Sequence, residues 1–70
     1  MTIGEKIRFI RQFRGITQAE LAAKMNVTQS VIAMWERGMT MPTASKLPEL
    51  ANILGCSIDA LFGRDDSERG

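Results

Sequence analysis

Five times in its 70 residues the chain repeats one local pattern: a hydroxyl side chain, a short run with apolar residues at helical spacing, then glycine or asparagine. The openers are Thr2, Thr17, Thr28, Ser45 and Ser57; the closers are Gly15, Asn26, Gly38, Gly55 and Gly63. A hydroxyl just before a helix accepts a bond from a backbone amide that the first turn leaves without a partner. Glycine and asparagine tolerate the left-handed conformation that ends a helix. Thr2 with Glu5, and Thr17 with Glu20, have the spacing of reciprocal capping boxes. No stretch alternates apolar and polar residues for long enough to suggest a strand, and no internal repeat of solenoid type is present. The pattern predicts an all-α chain of five short helices joined by tight turns.

The apolar spacing assigns a buried stripe to each helix. In the first, Ile3, Ile7, Ile10 and Arg14 fall on one side. The second buries Leu21, Ala22 and Met25 and stops at Asn26, after which Val27 plugs the core. The third hides Ile32 and Trp35. Pro48 interrupts the run ASKLPELANILG and would break a helical hydrogen bond in mid-helix. With Ser45 as N-cap, Pro48 falls in the first turn, where the amide it lacks has no intrahelical partner anyway. Leu47, Leu50, Ala51 and Leu54 then face inward, and a single last turn contributes Ile58, Leu61 and Phe62. Phe9 and Phe13 lie beside the stripe of the first helix; they are expected to be covered by Leu61 and Phe62, the alternative being a self-association surface. RDDSERG, residues 64–70, has no apolar anchor and is expected to fray, which leaves residues 1–63 as one domain.

A chain this short has room for one core, which rarely supplies more than about 3–5 kcal/mol net, so dense packing and good caps have to carry it. The 44% of apolar residues is enough for that. Its one cysteine, Cys56, excludes an internal disulfide and reads as a small buried filler rather than a reactive thiol. With no histidine the usual zinc frameworks are absent, and no other metal or cofactor is expected. There is no nucleophile paired with a base, no phosphate-cradling glycine loop and no room for a cleft, so an enzyme is not expected. No apolar run reaches membrane-spanning length, and MTIGEKIRFIRQFRG places charges where a signal peptide needs its apolar stretch. The expectation is a cytoplasmic protein with no membrane partner.

The net charge of +1 conceals a polarised chain. Residues 1–48 hold seven lysines and arginines against three acids, and residues 49–70 hold two against five. A basic body with an acidic end suits a polyanion on one side, although ordinary solvated faces would look the same on charge alone.

Beyond these local signals, the segments RQFRGIT, TQAELAAKM, VTQSVIAMWERG and PTASKLPELANILGCSIDALFG occur in an order and spacing that resembles one family. This is the phage-repressor and Cro-type (XRE-like) helix-turn-helix family, and the resemblance spans about residues 3 to 63. It implies a compact five-helix, lambda-repressor-like domain whose third helix lies in the major groove of double-stranded DNA, with the second helix crossing above it. By that resemblance Gln29, Ser30, Ala33 and Met34 read base edges, and Thr17, Gln18, Thr28, Arg37 and Thr40 hold phosphates. Gln29 is suited to a bidentate contact with adenine, and Met34 either packs on a thymine methyl or shields the core. Arg11 and Glu36 are implied to form a structural ion pair beneath the third helix. The loop MTMPT departs from the family, which commonly places lysine or arginine there. The implied function is sequence-specific DNA binding by a transcriptional repressor or regulator, on paired half-sites, with a weak or DNA-induced homodimer. The alternative is a protein-interaction module such as the antitoxin of a toxin–antitoxin pair.

Overall fold

The computed structural model describes residues 2–63, so the expected fraying of residues 64–70 lies outside the described residues. The elements run α1 (Ile3–Phe13), α2 (Gln18–Met25), α3 (Gln29–Arg37), a 3-10 turn (Ala44–Lys46), α4 (Leu47–Leu54) and α5 (Ile58–Leu61). No strand occurs among the described residues, so the all-α, five-helix architecture holds. Both capping boxes form: the Thr2 and Thr17 hydroxyls accept from the amides of Glu5 and Glu20, whose carboxylates accept in return from the amides of Thr2 and Thr17. These backbone hydrogen bonds hold both glutamates below their ordinary pKa of 4.5. Thr28 and Ser57 cap α3 and α5 in the same way, accepting from the amides of Val31 and Ala60.

The turns use the expected residues. Asn26 ends α2 at φ 60° and ψ 41°, the single non-glycine residue with positive φ among those described. Gly38, at φ 79°, ends α3; its amide bonds to the Trp35 carbonyl while the Met39 amide reaches the Met34 carbonyl at 2.9 Å, which closes the helix as a Schellman motif. The core collects Ile7, Leu21, Met25, Ile32, Leu50, Leu54 and Leu61, with Trp35 at its edge and Val27 packed against it. Helix α1 lies so close to the end of α3 that a Cβ at Gly4 would collide with the carbonyl oxygen of Trp35. Nothing larger than glycine fits at this crossing.

Four sequence expectations change. Ser45 does not cap α4, because winding starts earlier: the Lys46 amide bonds to the Thr43 carbonyl at 2.9 Å, which puts Ser45 inside a 3-10 turn. Its hydroxyl lies 3.2 Å from that of Thr43, and Pro48 still falls in the first turn of α4. Arg14 is not on the buried stripe. It is the exposed C-cap of α1, and its guanidinium donates to the carbonyls of Leu54 and Gly55 at 2.9 Å each, satisfying the last turn of α4. Phe9 and Phe13 are not covered by α5 but remain 54% and 74% exposed, stacked on one another with ring centroids 6.5 Å apart. The four-residue α5 spends Leu61 on the core, and Phe62 stays exposed. Cys56 is only partly buried, and that burial pushes its thiol pKa up, against the opposing charges of Arg14 and Lys6.

Candidate nucleic-acid interface

The foundation of the site is one buried carboxylate. Glu36 is 5% exposed near the end of α3, and Arg11 on α1 is 8% exposed opposite it. The guanidinium grips the carboxylate with both arms, Nε to Oε2 at 2.6 Å and Nη2 to Oε1 at 3.1 Å, while Nη1 donates to the Ile16 carbonyl at 2.8 Å. One fork thus ties α1, the turn before α2 and the end of α3 together. No buried side-chain nitrogen or oxygen among the described residues is left without a partner. A buried ion pair remains tolerable only when its remaining donors and acceptors are satisfied in this manner.

From Glu36 a polar chain runs outward to the surface. Gln18 Nε2 donates to Glu36 Oε1 at 3.0 Å, and Gln29 Nε2 approaches Gln18 Oε1 at 3.4 Å. A carboxylate only accepts hydrogen bonds, so the amide facing Glu36 has to present its NH2 group. Gln18 then shows its oxygen to Gln29, and Gln29 turns its own NH2 toward Gln18. The orientation of both amides follows from the charge at the root of the chain. Among the described residues, Gln29 keeps its Oε1 and one amide hydrogen free, and Gln18 keeps one amide hydrogen.

The repeated Thr-Gln pairs therefore sit side by side in space as well as eleven residues apart in sequence. Thr17 and Thr28 both lie exposed at helix starts, with hydroxyl oxygens accepting from the first turns of α2 and α3. A hydroxyl that accepts in a cap still has its own proton to donate. On α3, Gln29, Ser30 and Arg37 are exposed, Ala33 and Met34 are half-buried, and Ile32 and Trp35 face the core. Thr40 is exposed between the exposed Met39 and Met41, in a loop without a cation, while Pro42 is buried and anchors its far end. Sequence reasoning found the residues of this surface but missed the internal bond of Gln18 and the clamp of Arg14. The identical Thr-Gln openings were the available signal for the first. Gly4, seven residues before Arg11 on the same side of α1, signalled the close helix crossing.

Two short helices joined by the left-handed turn at Asn26, with the second presenting a polar start over a buried ion pair, define a helix-turn-helix domain. The chain belongs to the helix-turn-helix family, whose profile matches residues 7–61. It is 38% identical over 65 residues to the immunity repressor protein of Bacillus phage phi105, covering 93% of this chain and 45% of that protein. It is also 38% identical to the HTH-type transcriptional regulator DicA of Escherichia coli, over 97% of this chain and 51% of the relative. The P22 c2 repressor, solved in complex with a synthetic operator, superposes with a TM-score of 0.85 at 37% identity, covering 93% of this chain and 98% of that chain. The chain spans about half the length of the curated relatives it matches. Among the described residues no helix is long and apolar enough to cross a membrane.

Proposed function

We propose that the chain binds double-stranded DNA sequence-specifically and acts as a transcriptional regulator of repressor type, with residues 1–63 as the binding unit and α3 in the major groove. The observation that carries this reading is the polar chain from Glu36 through Gln18 to Gln29, which holds a planar amide at the start of an exposed helix. The free Oε1 and amide hydrogen of Gln29 match the N6 donor and N7 acceptor of adenine. Ser30 reads a neighbouring base edge, Ala33 allows close approach, and Met34 packs on a thymine methyl. Thr17, Thr28 and the remaining amide hydrogen of Gln18 take phosphates at the positive ends of α2 and α3, while Arg37 and Thr40 take phosphates at the far end. Two relatives are named as repressor or transcriptional regulator, and one structural neighbour holds operator DNA; all three support the reading. The chain works in the cytoplasm, on paired half-sites, and has no catalytic role. A pure protein-interaction module would account for the bond from Gln18 to Glu36 but not for the exposed amide of Gln29.

The test compares two substitutions on the surface of α3, using a duplex selected from random DNA and a scrambled one. Gln29→Ala should cost about 1–3 kcal/mol on the selected duplex and relax discrimination at one base pair, with the salt slope almost unchanged. Arg37→Ala should weaken binding equally on both duplexes and flatten the slope of log K against log salt by about 0.9. Equal loss on both duplexes for Gln29→Ala would remove the base-reading role.

A further inference from the structure

We propose, on the reading that α3 enters the major groove, that Glu36 is a positioning residue that selects the base Gln29 prefers without itself touching DNA. Glu36 is buried, and Gln18 Nε2 donates to its Oε1 at 3.0 Å. A carboxylate cannot donate, so turning the Gln18 amide over would set oxygen against oxygen at the buried end. A hydrogen bond to a charged group is also about twice as strong as a neutral one, so this end outweighs the exposed 3.4 Å contact between Gln18 and Gln29. The polarity of the chain is therefore imposed from the core outward. Gln18 shows Gln29 an oxygen, Gln29 spends one amide hydrogen on it, and an acceptor beside a donor remains for the groove. That pair matches N6 and N7 of adenine. Against guanine, whose O6 and N7 both accept, the Gln29 oxygen meets O6 and is repelled.

The same three side chains have an opposite polarity, which the carboxylate excludes. If the group at position 36 donated, Gln18 would accept from it and turn its own NH2 toward Gln29. Gln29 would then give up Oε1 and present two hydrogens, which fit O6 and N7 of guanine and oppose the N6 amino group of adenine. Glu36→Gln supplies such a donor. Arg11 Nε lies 2.6 Å from Oε2, closer than Nη2 lies to Oε1 at 3.1 Å, so the introduced amide keeps its oxygen toward Nε. Its NH2 then falls beside Gln18, in the place of Oε1. The Nη2 bond is lost, a cost that falls on stability and leaves base choice as a separate readout.

The experiment measures the ratio of affinities for two duplexes that differ only at the base pair where Gln29→Ala relaxes discrimination, one with adenine there and one with guanine. Wild type should favour adenine by about 10-fold, within the range of one bidentate pair. Gln18→Met leaves the pair of Arg11 and Glu36 intact and cuts the chain, so it should weaken binding to both duplexes and bring the ratio to about one. Glu36→Gln should favour guanine. Adding Gln18→Glu to it should restore the preference for adenine, because a carboxylate at position 18 faces Gln29 with acceptors alone. Thermal melting reports whether each variant is folded, and Gln18→Met carries the test by itself if Glu36→Gln is not. A wild-type ratio in Gln18→Met overturns the proposal while leaving Gln29 as a base reader. An adenine preference that persists in folded Glu36→Gln overturns the control by position 36. A wild type that does not distinguish the two duplexes removes the base-reading role itself, and the proposal with it.

Discussion

At the scale of single residues, Glu36 carries the most. Its two oxygens receive Arg11 twice and Gln18 once, so a single carboxylate supports both the helix crossing and the start of α3. Removing one member of a buried pair strands the other charge, and Glu36→Ala should lower stability by about 3–5 kcal/mol, read from urea unfolding. An unfolding midpoint equal to that of the wild type would contradict the structural role. A second carboxylate acts only locally. Glu20 is held below its ordinary pKa first by the backbone hydrogen bond to Thr17, so its ionised form favours the folded chain. That contribution is complete above the ordinary value of 4.5 and disappears as the pH falls through the lowered folded value. Glu20→Gln keeps a neutral cap and loses the charge. Its stability deficit near neutral pH should therefore shrink as the pH falls below 4.5, when urea melts of the two proteins are compared across the range.

Among the elements, the α2–α3 turn is the joint on which the site depends, since Gln18 and Gln29 meet only if the two helices are set correctly. The joint rests on Asn26, which adopts a conformation that costs other L-residues about 1–2 kcal/mol. Asn26→Gly should be neutral or up to about 1 kcal/mol stabilising, because glycine enters this region freely, and calorimetric melting reads the difference. Asn26→Val should lose about 1–2 kcal/mol in the same measurement. Arg14 plays the corresponding part at the end of α4, replacing intrahelical donors with its own Nε and Nη2. It thereby ties the end of α1 to the α4–α5 turn and leaves Phe13 on the outside, with the guanidinium carbon 5.7 Å from the ring centre.

For the whole molecule, the charge asymmetry matters more than the net charge. The basic part of the sequence contains α1, α2 and α3, while the acids gather from Glu49 onward. This division suits a polyanion met by the helix-turn-helix, yet the loop after α3 offers Met39, Thr40 and Met41 where a cation would grip a phosphate. The expected salt dependence is correspondingly shallow. Thr40→Lys should tighten binding on selected and scrambled duplexes alike and steepen the slope of log K against log salt by about 0.9, measured by titration at several salt concentrations. An unchanged slope would show that Thr40 lies away from the phosphates.

The local signals in the chain determined the helices, because caps and left-handed closers act over three or four residues and need no distant partner. Thr2, Thr17, Thr28 and Ser57 act as their neighbours in sequence dictate. Ser45 does not, since the Lys46 amide bonds to the Thr43 carbonyl and the chain begins winding before it. Periodicity likewise identified Ile7, Leu21, Ile32 and Leu54 as core, and the exposed side of α3 followed by exclusion. What periodicity leaves open is which helix covers which flank. Arg14 reads as part of a stripe until the end of α4 arrives beside it, and Phe9 and Phe13 read as covered until a last helix of four residues proves too short to reach over them. The link between the two glutamines belongs to the same class. Their amides can point either way in an isolated helix, and only the tertiary fold brings Glu36 up to Gln18, where a carboxylate that accepts and never donates orients the whole chain of bonds.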